Sequence, residues 1–221
     1  MEPKVYTLLG RAGCGKGTQA KLLTDKFGLT YIGSGEILRA LSGQENFNGK
    51  KIKEVISRGQ LAPTFLIFQQ WVNRLGELKL ASNKDLAGIL FDGSPRKLVE
   101  AQMMEEAILW YEWDKNFKAI LVDISREEAF NRLTKRRQCV KCGQLIPYVG
   151  EYKNLKVCDK CGGELVTRQD DTPEAINLRL DLFDQEVLPV INFFEANGRL
   201  LRINGEQPID KVFEEILSKL Q

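Results

Sequence analysis

Apolar residues in this chain fall into short continuous runs that alternate with segments of helical spacing. The runs cover residues 5–9, 87–92, 117–124 and 200–203, and such runs are typical of strands buried on both faces of a sheet. Between them the apolar positions recur every three or four residues, which predicts helices over 18–27, 36–41, 50–57, 64–80, 99–111, 127–136, 173–197 and 209–220. The alternation predicts an α/β fold built on a mainly parallel central sheet.

Composition narrows the function classes. The chain has 221 residues, of which 43% are hydrophobic and 28% charged, so it can bury a full core and is not a disordered protein. The net charge of +2 does not favour a dedicated nucleic-acid binder or a membrane anchor. No apolar run reaches transmembrane length, and no signal-peptide pattern is present, so we expect a cytoplasmic protein. The sequence contains no histidine, which excludes histidine bases and histidine metal ligands.

The strongest local pattern is a glycine-rich segment between the first predicted strand and the first predicted helix. This context is the one a phosphate-binding loop requires, because backbone N–H groups and the helix N-terminus can surround phosphate oxygens. Lys16 is expected to reach the β- and γ-phosphates, and Thr18 to lie near Mg²⁺. A glycine-rich turn without function is the alternative. The candidate ATP-binding residues are Gly13, Cys14, Gly15, Lys16, Gly17 and Thr18.

Asp92 ends a second predicted strand, Ile-Leu-Phe-Asp. A carboxylate at this position is suited to hold Mg²⁺ through a water molecule. Capping of the following turn is the alternative role.

Four of the five cysteines form two pairs, Cys139-x-x-Cys142 and Cys158-x-x-Cys161. This spacing predicts a structural zinc site with four thiolate ligands, and disulfides or free thiols are the alternatives. Basic residues next to the first pair also allow a zinc-ribbon protein that binds nucleic acid. That second hypothesis is disfavoured by the low net charge and by the lack of aromatic residues among the basic ones.

Five motifs, in order, resemble those of the adenylate kinase family. Gly15-Lys16-Gly17-Thr18 resembles its phosphate loop, and Ile32-Gly-Ser-Gly-Glu-Ile-Leu-Arg39 resembles its acceptor segment. Phe91-Asp-Gly-Ser-Pro-Arg96 resembles its Asp-Gly-Phe-Pro-Arg turn. Residues 132–137 resemble the entry to the family's lid, and residues 168–171 together with Arg179 resemble the lid exit and the following helix.

The resemblance implies a monomeric kinase that converts ATP and AMP to two ADP with Mg²⁺, on a P-loop NTPase-type core. It places the core at 1–32, 64–136 and 169–221, a nucleoside monophosphate (NMP)-binding insertion at 33–63, and a zinc-binding lid at 137–168. It adds five residues to the ATP site: Arg132, Arg136, Leu145, Ile146 and Gln207. It implies ten AMP-binding residues: Ser34, Arg39, Gln60, Leu61, Ala62, Gly93, Arg96, Glu100, Arg168 and Arg179. The implied catalytic residues are Lys16, Arg96, Arg132, Arg136, Arg168 and Arg179, with Asp170 and Asp171 orienting the arginines.

One departure from the family pattern concerns the acceptor base. Glu100 stands where the family has a glutamine that reads adenine, and an ionised carboxylate can only accept hydrogen bonds. Guanine offers two donors to such a group, whereas adenine offers one. Ser94 replaces a phenylalanine of the family turn and is expected to enlarge the pocket. Because the rest of the sequence is most similar to adenylate kinases, AMP remains the expected acceptor, and GMP or a broad acceptor range is the alternative.

Overall fold

In the computed structural model, which describes residues 3–58, 60–81, 86–168 and 171–221, five parallel strands form the central sheet. The strands of the protein are β1 (Lys4–Leu9), β2 (Thr30–Gly33), β3 (Gly88–Asp92), β4 (Phe117–Asp123), β5 (Arg137–Cys139), β6 (Leu145–Ile146), β7 (Leu165–Thr167) and β8 (Leu200–Asn204). The central sheet has the order β2-β3-β1-β4-β8, and β5, β6 and β7 form a separate antiparallel sheet. The predicted α/β class is confirmed.

Helices connect the parallel strands and cover both faces of the sheet, as parallel pairing requires. They are α1 (Lys16–Phe27), α2 (Ser34–Ser42), α3 (Phe47–Ser57), α4 (Thr64–Leu80), α5 (Leu98–Trp110), α6 (Arg126–Lys135), α7 (Pro173–Leu182), α8 (Leu188–Ala196) and α9 (Ile209–Lys219). Short 3₁₀ turns occupy Asp114–Asn116 and Gly150–Asn154. None of the helices in the described ranges is long and apolar enough to cross a membrane.

Two apolar clusters sandwich the sheet. Alternate residues of β1 enter each cluster, with Val5 and Leu9 in one and Tyr6 and Leu8 in the other. The first cluster includes side chains of α4, α5 and α8, and the second includes side chains of α1, α6, α7 and α9. Burial on both faces explains why the strands read as continuous apolar runs.

Around the central sheet, two elements differ from the sequence prediction, which also gave no strands for the small sheet. β2 was not predicted, because it has four residues and ends in Gly33, at the edge of the sheet beside β3. The helix predicted over 173–197 is interrupted by a π-helical turn, Phe183–Val187. Pro189 in the first turn of α8 has no N–H to donate, and the chain forms a wider turn before it, in which Leu188 N–H donates to the Phe183 carbonyl.

Candidate functional site

The loop between β1 and α1 has the form of an anion cradle. Gly10, Gly13 and Gly15 have φ values of 142°, 86° and 100°, which side chains rarely tolerate. A Cβ at Gly10 would lie 2.4 Å from the Val122 carbonyl oxygen, so that part of the loop packs on β4. A Cβ at Gly15 or Gly17 would meet no atom within 4 Å. The loop is therefore closed towards the protein and open on the side where a ligand would lie.

The Lys16 side chain folds back inside this loop. Its Nζ donates to the carbonyl oxygens of Gly10 at 2.5 Å and Arg11 at 3.0 Å, and lies 3.5 Å from the Cys14 Sγ atom. No side chain in the described ranges caps the N-terminus of α1, which leaves first-turn N–H groups for an anion. Cys14 is buried, in keeping with a packing role, and Thr18 is half-buried.

Arg11 ties the loop to the π-helical turn. Its Nη2 atom lies 2.7 Å from Asp184 Oδ1, its Nη1 donates to the Ile124 carbonyl at 3.2 Å, and its guanidinium lies 4.5 Å from the Phe183 ring centroid. Asp184 also accepts from Arg126 at 3.1 Å. The sequence analysis did not single out Arg11. A charged pair therefore joins the 10–17 loop to the π-helical turn that follows α7, the helix that carries Arg179.

A second polar cluster follows the ends of β2 and β3. Ser34 Oγ and Ser94 Oγ are 2.5 Å apart and both side chains are buried, while Thr7 Oγ1 donates to the Ser94 carbonyl at 2.5 Å. Arg96 Nε donates to the Gly93 carbonyl at 2.8 Å. A Cβ at Gly93 would lie 3.1 Å from Arg96 Nη2 and 3.7 Å from Ser34 Cβ, so these three predicted residues meet.

Four other predicted acceptor residues lie on α2 and in the segment before α4. Arg39 is exposed on α2, with its Nη1 atom 3.2 Å from the position of a Cβ at Gly35. Gln60, Leu61 and Ala62 form the extended segment that leads into α4, where Gln60 is exposed and Ala62 is buried.

Glu100 is engaged by protein donors. Its side chain is only 3% exposed; Oε2 accepts the Arg96 N–H at 2.7 Å, and Oε1 accepts the Thr64 hydroxyl at 3.3 Å. It lies in the first turn of α5, where a carboxylate is favoured by the helix dipole. The Glu100 side chain therefore points into the protein and not towards solvent. The sequence analysis missed Thr64, which gave no signal beyond its place at the start of a helix.

Asp92 accepts a hydrogen bond from a residue that the sequence analysis also missed. The Tyr31 hydroxyl donates to Asp92 Oδ2 at 3.0 Å. Burial and the neighbouring Asp92 carboxylate raise the pKa of Tyr31, so the hydroxyl is a neutral donor. Oδ1 of Asp92 accepts no hydrogen bond from the described residues. A half-buried carboxylate with one available oxygen, at the end of a strand beside β1, fits a water-mediated Mg²⁺ contact.

Two of the predicted arginines converge on one buried carboxylate. Arg136 donates to both oxygens of Asp171 at 2.8 Å, and Arg179 donates to Oδ1 at 2.6 Å. Burial alone would raise the pKa of Asp171, but these hydrogen bonds and positive charges lower it below its ordinary value. The arrangement holds two guanidinium groups side by side.

The other predicted donor-side residues contact several different partners. Arg132 donates to Glu128 at 2.6 Å and to the Gly205 carbonyl at 3.0 Å, and Gln207 donates to the Asn204 carbonyl at 3.0 Å. The Arg168 carbonyl accepts the Asp171 N–H at 3.0 Å. In the small sheet, Leu145 is exposed and Ile146 is buried opposite Arg137. Asp170 lies outside the described residues.

The four paired cysteines meet at one end of the small sheet. Their Sγ atoms all lie within 4.8 Å of one another, with Cys139 and Cys161 3.5 Å apart and Cys142 and Cys158 3.6 Å apart. A tetrahedral zinc ion with Zn–S bonds of about 2.3 Å separates its ligands by roughly 3.8 Å, so the cluster fits zinc. All five cysteines are free.

The two cysteine turns have the same backbone form. Gly143 N–H donates to the Cys139 carbonyl at 3.0 Å, and Gly162 N–H donates to the Cys158 carbonyl at 2.8 Å. Both glycines have positive φ values, 72° and 68°. Two equivalent turns therefore bring the four sulfur atoms together.

The sequence is similar to a known protein family over most of its length. Residues 8–199 match the family model described as "Adenylate kinase". The chain is 37% identical over 217 residues to the adenylate kinase of Clostridium acetobutylicum, covering 96% of this chain and 97% of that protein. It is 35% identical over 226 residues to the adenylate kinase of Chlamydia muridarum, covering 99% and 87%. It is 34% identical over 216 residues to that of Thermodesulfovibrio yellowstonii, covering 96% and 97%.

Proposed function

Because this chain belongs to the adenylate kinase family, we propose that it transfers the γ-phosphoryl group of Mg²⁺-bound ATP to AMP, reversibly giving two ADP. The observation that carries the proposal is the placement of two polar arrangements at the carboxyl ends of neighbouring strands. β1 and β3 are paired with Leu8 opposite Asp92. The 10–15 loop follows the first strand and the 93–96 turn follows the second, so a donor and an acceptor phosphate would meet above the sheet edge.

On the donor side we assign the triphosphate to the open face of the 10–17 loop. A phosphate oxygen would replace the Gly10 and Arg11 carbonyls as the partner of Lys16, which already lies inside the loop. The first-turn N–H groups of α1 add positive potential. Mg²⁺ bound with ATP neutralises negative charge on the transferred group, and Thr18 and Asp92 would hold it, Asp92 through water.

On the acceptor side we assign the AMP phosphate to Arg39 and Arg96, and the base to the pocket bordered by 60–62, Gly93 and Glu100. Ser34 is assigned to the same site, since its Oγ contacts Ser94 Oγ. Arginine suits this task because its planar fork binds phosphate oxygens through two parallel hydrogen bonds and stays charged.

We further propose that Arg136, Arg168, Arg179 and Arg132 stabilise the charge that spreads over the transferred group. Asp171 keeps two of these guanidinium groups together before nucleotides bind. We propose that the two guanidinium groups leave Asp171 for phosphate oxygens when the 137–168 segment closes over the donor. This closure would exclude water from the reaction.

The 137–168 segment is proposed to hold one structural zinc ion through its four cysteines. Its strands have two or three residues each, too few to form a core of their own, and metal binding supplies the missing stability. We propose the 33–63 segment as the NMP-binding insertion and the remaining chain as the core. Free cysteines persist in reducing compartments, which supports a cytoplasmic location, and we expect a monomer.

An acceptor panel tests the proposal. Purified protein is given ATP and Mg²⁺ with AMP, GMP, CMP or UMP, and ADP is measured by a coupled assay. We expect the highest kcat/KM with AMP, and no transfer when the acceptor or Mg²⁺ is omitted. A preference for GMP would leave the kinase assignment standing but reject AMP as the preferred acceptor. No transfer to any of the four nucleotides would reject the proposed function.

A further inference from the structure

Tyr31 reaches Asp92 along a diagonal of the sheet. β2 is an edge strand, and its register places Tyr31 opposite Leu90 and Gly33 opposite Asp92. The Tyr31 ring lies across Gly33 and brings its hydroxyl 3.0 Å from Asp92 Oδ2. Such diagonal contacts are within the reach of an aromatic side chain. Tyr31 is 36% exposed, so the contact lies near the surface rather than in the core.

The ring can occupy this place only because residue 33 has no side chain. A Cβ at Gly33 would lie 2.5 Å from Tyr31 Cε1 and 2.6 Å from the hydroxyl oxygen, which no real contact allows. The backbone of Gly33, with φ −99° and ψ 115°, is extended and open to any residue. Backbone strain therefore does not explain the glycine, whereas the space for the ring does.

We propose that Tyr31 is a positioning residue for phosphoryl transfer. By holding Oδ2, its hydroxyl fixes the orientation of the Asp92 carboxylate and leaves Oδ1 to accept from a water of the Mg²⁺–nucleotide complex. Gly33 is the partner that makes this position possible. The inference rests on the proposed function, since it concerns the group assigned there to Mg²⁺.

Metal-site chemistry is consistent with a tyrosine that orients a carboxylate near the metal ion. A carboxylate near a metal ion is usually held by a further hydrogen bond that sets its orientation, and loss of such a bond weakens metal binding. Asp92 receives that bond from Tyr31 among the residues that the structure describes.

Three variants separate positioning from simple stabilisation. Tyr31→Phe removes the hydroxyl and keeps the ring, Gly33→Ala displaces the ring, and Tyr6→Phe is the control. Tyr6 is a tyrosine of β1 whose hydroxyl has no hydrogen-bond partner among the described residues. The readouts are binding of Mn²⁺ to the protein with β,γ-imido ATP by paramagnetic resonance, the Mg²⁺ dependence of transfer, and Tm.

We expect Tyr31→Phe and Gly33→Ala to weaken Mn²⁺ binding and raise the half-saturating Mg²⁺ concentration about tenfold, the low end for loss of a supporting hydrogen bond. At saturating Mg²⁺ the KM for AMP stays unchanged. Because both changes break the same bond, the double variant is no weaker than either single variant. Tyr6→Phe behaves as the wild type.

Unchanged Mn²⁺ binding in a folded Tyr31→Phe protein overturns the inference, as does a fall in Tm without any change in metal dependence. Tighter Mn²⁺ binding overturns it too, because the hydroxyl would then compete with the metal-bound water. If the wild-type protein transfers phosphate normally, these outcomes leave the proposed function intact. If the wild type transfers none, the proposed function fails, and the Mn²⁺ titration with the nucleotide analogue still decides the role of Tyr31.

Discussion

Among carboxylate-to-amide substitutions near the candidate site, Asp171→Asn should lower the stability of the fold the most. In the wild type, no part of the Asp171 side chain is exposed, and its oxygens accept three hydrogen bonds of 2.6–2.8 Å from Arg136 and Arg179. Asp171→Asn removes the negative charge and turns an amide NH₂ towards a guanidinium, donor against donor. Two guanidinium groups lose their contacts with this carboxylate.

The magnitude follows from the burial of the three partners. Breaking a buried ion pair by removing one member costs about 3–5 kcal/mol. Because the Arg136 and Arg179 side chains retain 15% and 21% exposure, water compensates part of the loss, and we expect about 3 kcal/mol. For a chain of this size that corresponds to a fall in Tm of roughly 6–12 °C. Asp181→Asn is the matched control, since Asp181 pairs with Arg126 at the surface and should lose under about 1 kcal/mol.

At acid pH the difference in stability between the wild type and Asp171→Asn should disappear. The pKa of Asp171 in the folded protein lies below its ordinary value of 3.8, so its ionised form stabilises the fold fully above that value. This contribution is lost as the pH falls from about 4 through the folded-state pKa, and the amide variant has nothing to lose there. Calorimetric scans at pH 7 and near pH 3 measure the gap. A Tm loss no larger than that of Asp181→Asn, or a gap that does not shrink in acid, would refute the reasoning.

Three further changes test the other parts of the site. Lys16→Ala should lower kcat about 10²-fold or more with the fold intact, because the charge aimed at the β- and γ-phosphates is lost. The purified protein should contain one zinc ion per chain, and Cys139→Ser should lose it and lower Tm while ATP still binds at the 10–17 loop. Glu100→Gln should shift kcat/KM about tenfold from GMP towards AMP; the shift is small because Arg96 N–H already occupies Oε2.

Each of these has a decisive opposite outcome. Wild-type turnover in folded Lys16→Ala would reject the phosphate-loop assignment. Protein purified without chelator that contains no metal, or a Tm unchanged by exhaustive chelation, would reject the zinc site. An AMP to GMP ratio unaffected by Glu100→Gln would mean that the carboxylate serves only the Arg96 turn and Thr64, and that other groups read the base.

Local patterns in the sequence predicted those parts of the fold that depend on local chemistry. The strand, glycine loop and helix around Lys16 are dictated by an apolar run and by φ values that only glycine adopts readily, so they could be located from the residues alone. The cysteine cluster followed from two pairs with matching spacing, because a C-x-x-C turn brings its sulfur atoms together within a few residues.

Features that depend on pairing between distant segments could not be predicted. β2 is too short to have a clear period, and it became a strand only by lying beside β3. The Tyr31–Asp92 contact joins residues 61 positions apart, and the Glu100–Thr64 contact joins residues 36 positions apart. Neither Tyr31 nor Thr64 stands in a motif that indicates its partner. The π-helical turn had a local cause in Pro189, but a proline in the first turn of a helix is common and gave no warning.

The most direct test of the central claim uses ADP alone. Protein and Mg²⁺ are mixed with ADP as the sole nucleotide, and ³¹P resonance follows the products. We predict that ATP and AMP appear together in equal amounts until the three nucleotides reach equilibrium, and that folded Lys16→Ala protein forms neither at a comparable rate. Release of inorganic phosphate without ATP, or no change in the ADP signal with folded, metal-loaded protein, would contradict the assignment of this chain as a kinase that joins two nucleotide sites.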